Sequence, residues 1–246
     1  MQNSMAYRIL AQAGRWPSQE AFERYHQTLF ANITFRDRRV LDVGGGIGAC
    51  SFWAALAGAS EVICLEPEEA GATTGTSKRF DELARELVLT NTRVKTVTLQ
   101  DLDTAPETFD VIVMNNSINH LDEEACIALH TSEVARERYR AIFERVADIS
   151  RAQADLVISD CTPNNLFPRL GLRHPISKSI EWHKHQPPEI WAEELTAVGF
   201  ERPDVRWTSY ARLGQLGWRL TANRLAAFIL SGHFILRMKR QRRCST

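Results

Sequence analysis

Arg39-Val40-Leu41-Asp42-Val43-Gly44-Gly45-Gly46-Ile47-Gly48-Ala49-Cys50-Ser51 is the stretch that decides the fold. Residues 39–43 read as a buried strand, the glycines as a tight turn, and the apolar run from Phe52 to Ala57 as the helix that follows. Glycines are needed where a ligand must lie against the backbone, because a Cβ would collide with it. The helix start adds unpaired N–H groups and the positive end of a dipole. The unit is therefore a cofactor cradle.

Two cofactor classes use such a cradle. Gly44, Gly46 and Ala49 formally satisfy the dinucleotide pattern G-x-G-x-x-G/A, so the glycines alone do not choose. Asp42, two residues before the first glycine, argues against a pyrophosphate, which it would repel, and for a cation or a donor. The next strand, 61–65, ends at Glu66, 20 residues past Gly46, where an acid can accept from both hydroxyls of a ribose. Four segments in order then resemble the class I S-adenosylmethionine-dependent methyltransferases of small-molecule type: VLDVGGGIG, Glu66, Val97-Thr98-Leu99-Gln100-Asp101 and Phe109-Asp110-Val111-Ile112-Val113-Met114-Asn115. The resemblance covers residues 36–160 well and the remainder loosely.

That resemblance implies an α/β fold: a Rossmann-like doubly wound sheet of seven strands, mostly parallel with an antiparallel last strand, plus a small helical and loop cap. It implies S-adenosylmethionine as cofactor and S-adenosylhomocysteine as product. The cofactor would be held by Asp42, Gly44, Gly45, Gly46, Gly48, Glu66, Pro67, Asp101, Leu102 and Asn115. Asp101, just past the third strand, is the candidate for the adenine amino group, and Asn115 ends beside the reacting methyl.

The chain reads as one domain over residues 1–246: an N-terminal helical segment (1–35), the cofactor-binding core (36–160), a cap insert (161–187), a C-terminal helix and strands with an inserted helix (188–239), and a loose tail (240–246). Thirty basic and 30 acidic residues cancel, so no overall field draws nucleic acid or an anionic membrane. No apolar run approaches the ~18 residues of a membrane span, and the N-terminus lacks a signal core. Five scattered cysteines (Cys50, Cys64, Cys126, Cys161, Cys244) suit free thiols in a reducing, cytoplasmic compartment.

Residues 1–16 give no firm signal. Ser18 is placed to cap a helix with Phe22, Tyr25, Leu29 and Phe30 on one face. In this fold such a helix lies over the cofactor pocket, which makes Tyr25 a substrate-side candidate; packing is the other role for Tyr25 and for His26. Further expected elements are helices over 78–89, 122–129, 133–149, 189–198 and 215–230, and strands over 93–99, 154–159, 204–210 and 234–238. The loop AGATTGTS (70–77) suits an adjustable lid, and Pro106 marks a turn.

Past the fourth strand comes Asn115-Asn116-Ser117-Ile118-Asn119-His120-Leu121, without the prolines and aromatic of amino methyltransferases that act on bases or glutamine. His120 is the first candidate for a proton acceptor, with Asn119 beside it toward substrate; a helix cap is the structural alternative for His120. The 25-residue insert Thr162–Gln186 is long for a connection and is expected to set acceptor specificity. Glu181, His183 and His185 alternate, so an extended segment would turn all three one way, with Trp182 facing the domain. Their spacing matches no firm metal pattern and no metal is assigned; His183 and His185 stand behind His120 as bases, and Glu181 and Trp182 as substrate contacts. The helix over 215–230 is apolar enough to roof a pocket or to pair two copies of the chain. The expected reaction is in-line methyl transfer to an O, N or S atom of a small molecule, with no nucleic-acid partner; a macromolecular acceptor and an NAD-binding oxidoreductase are the alternatives.

Overall fold

The computed structural model describes residues 2–68, 74–103 and 108–242. Residues 70–73 of the lid expected over 70–77, the turn at Pro106 and residues 243–246 of the tail, with Cys244, lie outside the described residues, while Thr76 and Ser77 open the helix Thr76–Glu86.

Seven strands form one sheet in the order β3-β2-β1-β4-β5-β7-β6. They are β1 (Arg39–Val43), β2 (Glu61–Leu65), β3 (Thr92–Lys95), β4 (Phe109–Asn115), β5 (Ser150–Cys161), β6 (Asp204–Trp207) and β7 (His233–Lys239). The first five pair in parallel, and β7 runs antiparallel to both β5 and β6. Strand order reverses between β1 and β4, so a crevice opens beyond their carboxyl ends, where α/β sheets take ligands.

Both faces of the sheet are covered, which is why its central strands read as nearly continuous apolar runs. Side chains alternate between two cores. Leu41, Val43, Ile63, Ile112, Met114 and Ile158 pack under α5 (Glu123–Ala128), α6 (Glu133–Asp148) and α8 (Pro188–Ala197), around the buried Tyr139, Phe143 and Trp191. Val40, Val62, Cys64, Val111, Val113 and Val157 pack under α1 (Gln2–Ala13), α2 (Gln19–Leu29), α3 (Ala49–Leu56) and α4 (Thr76–Glu86), around Phe22, Phe52, Trp53 and Phe80. Asp42 shares this second parity and so points under α3.

Ser18 caps α2 as expected, its Oγ accepting from Ala21 N at 3.2 Å. At the other end of α2, the buried Arg237 of β7 donates to the carbonyls of Thr28 and Leu29, tying the N-terminal helix to the sheet.

Four local expectations are corrected. Residues 2–13 form the helix α1, which the sequence did not reveal. β3 ends at Lys95 and not at residue 99, and β6 ends at Trp207 and not at 210. The helix expected over 215–230 is broken: α9 (Gly214–Thr221) stops at Ala222, Asn223 caps the short α10 (Arg224–Ala226), and a wider turn follows over Ala227–Ser231. The insert is not extended; it carries α7 (Leu166–Arg169) and a helical turn over Trp182–Lys184. Among the described residues no helix is long and apolar enough to cross a membrane.

Candidate active site

A cleft of about 590 Å³ opens at the tips of β1 and β2 and is closed on its far side by the turn after β4. Gly44, Gly46, Glu66, Pro67, Thr98, Leu99, Gln100, Asn116, Ser117, His120 and Glu123 lie on its walls. That size is ordinary for a cofactor-sized ligand.

The glycine turn is shaped from beneath. Gly44 N and Gly45 N donate to Leu65 O at 2.8 and 3.2 Å, drawing the turn across to β2. A Cβ at Gly45 would stand 2.5 Å from Asp42 Oδ2 and 2.6 Å from Cys64 Sγ, so the turn can cross there only as glycine. Gly46 has φ +58° with nothing within 4 Å of its Cβ position; there the backbone faces open cleft. Gly48 packs on the Phe80 ring at the start of α3.

Two acids bracket this turn and differ in situation. Asp42 is 1% exposed, and its Oδ2 accepts from Ser51 Oγ at 2.7 Å. Burial pushes its carboxyl up to about 6, against the Ser51 hydrogen bond and aided by Glu66. Asp42 is absent from the cleft wall: it supports the turn from below, and its Oδ1 has no partner among the described residues. Glu66 is on the wall, with Oε2 accepting from Gly46 N at 2.8 Å. Burial raises its pKa too, opposed by that N–H and aided by Glu68.

The third-strand acid is displaced from its expected place. Asp101 is exposed and folds back on Thr98, accepting from Thr98 Oγ1 at 2.6 Å, so Thr98, Leu99 and Gln100 take its place on the wall. Leu102 is buried in the core, and Arg145 of α6 holds the loop by donating to the carbonyls of Leu99 and Leu102. Gln100 Nε2 bridges to Leu121 O at 2.8 Å, joining two walls of the cleft.

At the end of β4, Asn115 Oδ1 lies 2.5 Å from Tyr25 Oη, which also reaches Ser159 Oγ at 3.2 Å. The helix α2 therefore meets the tips of β4 and β5, with Tyr25 off the cleft wall, and burial raises the Tyr25 phenol well above its ordinary pKa. Its neighbour His26 is fully buried, stacked on Trp53 with ring centres 5.2 Å apart, and donates from Nδ1 to Phe22 O at 2.8 Å. Burial pushes its pKa down to about 4, which fixes it as a neutral packing group.

His120 is exposed on the cleft wall, and its Nδ1 donates to Glu123 Oε1 at 2.6 Å. That contact, then Lys184, lowers the Glu123 pKa. Asn119 is buried, with its amide nitrogen 3.4 Å from His120 Nε2. Glu181, His183 and His185 do not share a face, because the helical turn replaces the extended segment. Glu181 pairs with Lys184 at 3.0 Å, His183 is exposed, and His185 Nδ1 donates to Asp160 Oδ1 at 2.9 Å. The Trp182 ring does face the domain, lying 2.8 Å from where a Cβ on Gly232 would stand. Thr98, Gln100, Asn116, Ser117, Glu123 and Asp160 were not singled out from sequence; Thr98, Gln100, Asn116 and Ser117 share the signal of following closely on a strand's carboxyl end, whereas Glu123 opens α5 and Asp160 lies within β5.

Residues 40–142 match the family described as methyltransferase domain. The match runs from β1 into α6 and so takes in the glycine turn, Glu66 and the turn after β4. The fold is similar to that of a putative S-adenosylmethionine-dependent methyltransferase from Listeria monocytogenes (13% identity, 90% of this chain and 97% of that one, TM-score 0.62). It is also similar to the [4+2]-cyclase SpnF (17% identity, 93% and 85%, TM-score 0.63). A third solved structure is the Burkholderia thailandensis 1,6-didemethyltoxoflavin-N1-methyltransferase with 1,6-didemethyltoxoflavin and S-adenosylhomocysteine (17% identity, 91% and 80%, TM-score 0.53). No curated protein matches the sequence. S-adenosylmethionine is the cofactor such a domain implies, and the cleft fits it: Gly46 leaves space against the backbone, and Glu66 Oε1 has no protein partner among the described residues.

Proposed function

We propose that this protein moves the methyl group of S-adenosylmethionine to a heteroatom of a small molecule. The observation that carries the reading is Glu66: its carboxylate is clamped by one oxygen to Gly46 N–H and presents the other to the cleft. An acid held there accepts from a ribose diol and repels a phosphate. Gly44 and Gly46 give backbone contact, while Thr98, Leu99 and Gln100 form the wall for a base. Asp42, Gly45 and Gly48 act on the cofactor through the shape of the turn.

S-adenosylmethionine supplies an already activated methyl group, so the protein contributes alignment and exclusion of water. Tyr25, Asn115 and Ser159 form a hydrogen-bonded polar group at the tips of β4 and β5, off the cleft wall, on the side proposed for the acceptor. His120 is the proton acceptor: Glu123 takes its Nδ1–H, which leaves Nε2 as the accepting nitrogen, and the acceptor's proton would displace the long 3.4 Å contact that Nε2 makes with the Asn119 amide. His185 is occupied by Asp160, and His183 has no such orienting carboxylate. A small acceptor is supported by the substrate named with the Burkholderia neighbour.

Calorimetric titration with S-adenosylhomocysteine and, separately, NADH tests the reading. Association with the first alone supports it; association with NADH alone overturns it.

A further inference from the structure

A second cluster of chemistry-bearing side chains lies outside the cleft, where β5 ends, β7 begins and the insert returns to the sheet. Asp160 is 0% exposed, and its Oδ1 accepts from His185 Nδ1 at 2.9 Å. Its Oδ2 is buried with no hydrogen-bond partner among the described residues. A buried carboxylate oxygen left unpaired is costly, so the arrangement lacks a cationic or donor group. Next to it, the Cys161 thiol is 3% exposed, and its Sγ lies 3.4 Å from both ring nitrogens of His233. One donor atom each from Asp160, Cys161 and His185 falls within 4.8 Å of the others.

We infer that Asp160, Cys161, His185 and His233 form a binding site for one zinc ion. Zinc bonds of about 2.0–2.3 Å in a tetrahedron set neighbouring donors about 3.3–3.8 Å apart. Among Asp160, Cys161 and His185 the separations, from 2.9 Å to 4.8 Å, bracket that range, and His233 adjoins the cluster through Cys161 Sγ at 3.4 Å, so rotamer adjustments close the shell. Oxygen, sulfur and two imidazole nitrogens suit zinc, whereas calcium and magnesium take oxygen ligands. One carboxylate and one thiolate neutralise a divalent ion. On binding, the Cys161 S–H bond breaks, the proton leaves to solvent and the sulfur pair goes to the metal.

Four protein ligands leave no open position, which marks a structural site and not a catalytic one. Its effect is to staple the insert, through His185, to the adjoining ends of β5 and β7. The site is independent of methyl transfer, and its test does not read that activity.

Zinc in the purified, dialysed full-length protein is measured by plasma mass spectrometry, with Cys244→Ser as the control for adventitious thiol binding. The expected result is one zinc per chain in both proteins, and a melting temperature that falls on chelation and recovers on adding zinc. Cobalt(II) loaded into the stripped protein should give a thiolate-to-metal absorption band that Cys161→Ser removes. His185→Gln and Cys161→Ser should each bind zinc at least tenfold more weakly and lose the chelator-dependent melting shift. A wild-type protein that holds no zinc and takes up none, or a His185→Gln variant of unchanged affinity, overturns the assignment. The wild-type measurements decide even where a variant fails to fold.

Discussion

The half of the molecule that holds the cleft and the half that covers it are built on different terms. In residues 36–160 the site is assembled by neighbouring strands: Gly46 meets Glu66 across β1 and β2, and Ser117 Oγ donates to Val43 O at 2.5 Å across β1 and β4. The sheet register sets those contacts, so they are made before any ligand arrives. From the end of β5, residues 161–180 of the cap insert and 205–242 around the last two strands contain no acidic residue at all, although the whole chain is neutral. Leu170, Leu172, Leu216, Leu220 and Leu225 there are 56–72% exposed. The cofactor end is thus preorganised by the core, and the cap is held by a few polar ties, such as Tyr210 Oη to Leu230 O at 2.6 Å and to Ser177 Oγ at 2.7 Å.

The sharpest break of that contrast is Glu66→Ala. Losing two charge-assisted hydrogen bonds should weaken S-adenosylhomocysteine binding by about 500-fold in calorimetry. An equal loss from a cap substitution would refute the division.

Next comes the acid limb of stability. The folded His26 pKa, about 4, lies below its unfolded value near 6.5, so the unfolded chain binds the extra proton. Stability from this residue is complete above pH 6.5 and is lost as pH falls toward 4, by about 3 kcal/mol. Denaturant melts of His26→Leu against wild type over that window should show this slope removed. Buried Asp42, raised to about 6, acts in the opposite sense and should remain in the variant.

His120→Ala should lower kcat by about 100-fold and leave cofactor affinity within a factor of two. Glu123→Gln should move the pH profile of kcat, which a merely structural His120 would not do. Tyr25→Phe is expected to raise the acceptor KM about fivefold, the value of one hydrogen bond. The smallest change belongs to the cap's surface: Leu220→Ser should shift stability by less than about 0.5 kcal/mol and leave cofactor binding unaltered.

The sequence made the strands and the glycine turn plain because burial on both faces and a close backbone crossing leave few residue types to choose from. Glu66 was legible for the same reason, sitting at a strand tip a fixed distance past the glycines. Asp42 was misplaced, although strand parity carried the answer: Val40 and Asp42 share a face, under α3. Asp101 could not have been read correctly, since Arg145 holds that loop from α6, 44 residues further along the chain. The insert was opaque for a related reason. Alternation of Glu181, His183 and His185 implies a common side only in an extended chain, and Asp160 and Gly232 decide otherwise by packing from distant segments.

Sheet order has a consequence for synthesis. β6 pairs only with β7, and β7 is also what covers the apolar edge of β5. The 25 residues between Trp207 and His233 must leave the ribosome before either strand finds its neighbour, a wait of a few seconds at roughly 5–20 residues per second. The nascent chain therefore waits with an open seam through the interior of its sheet, and Arg237, which anchors the N-terminal helix, arrives with the strand that closes it.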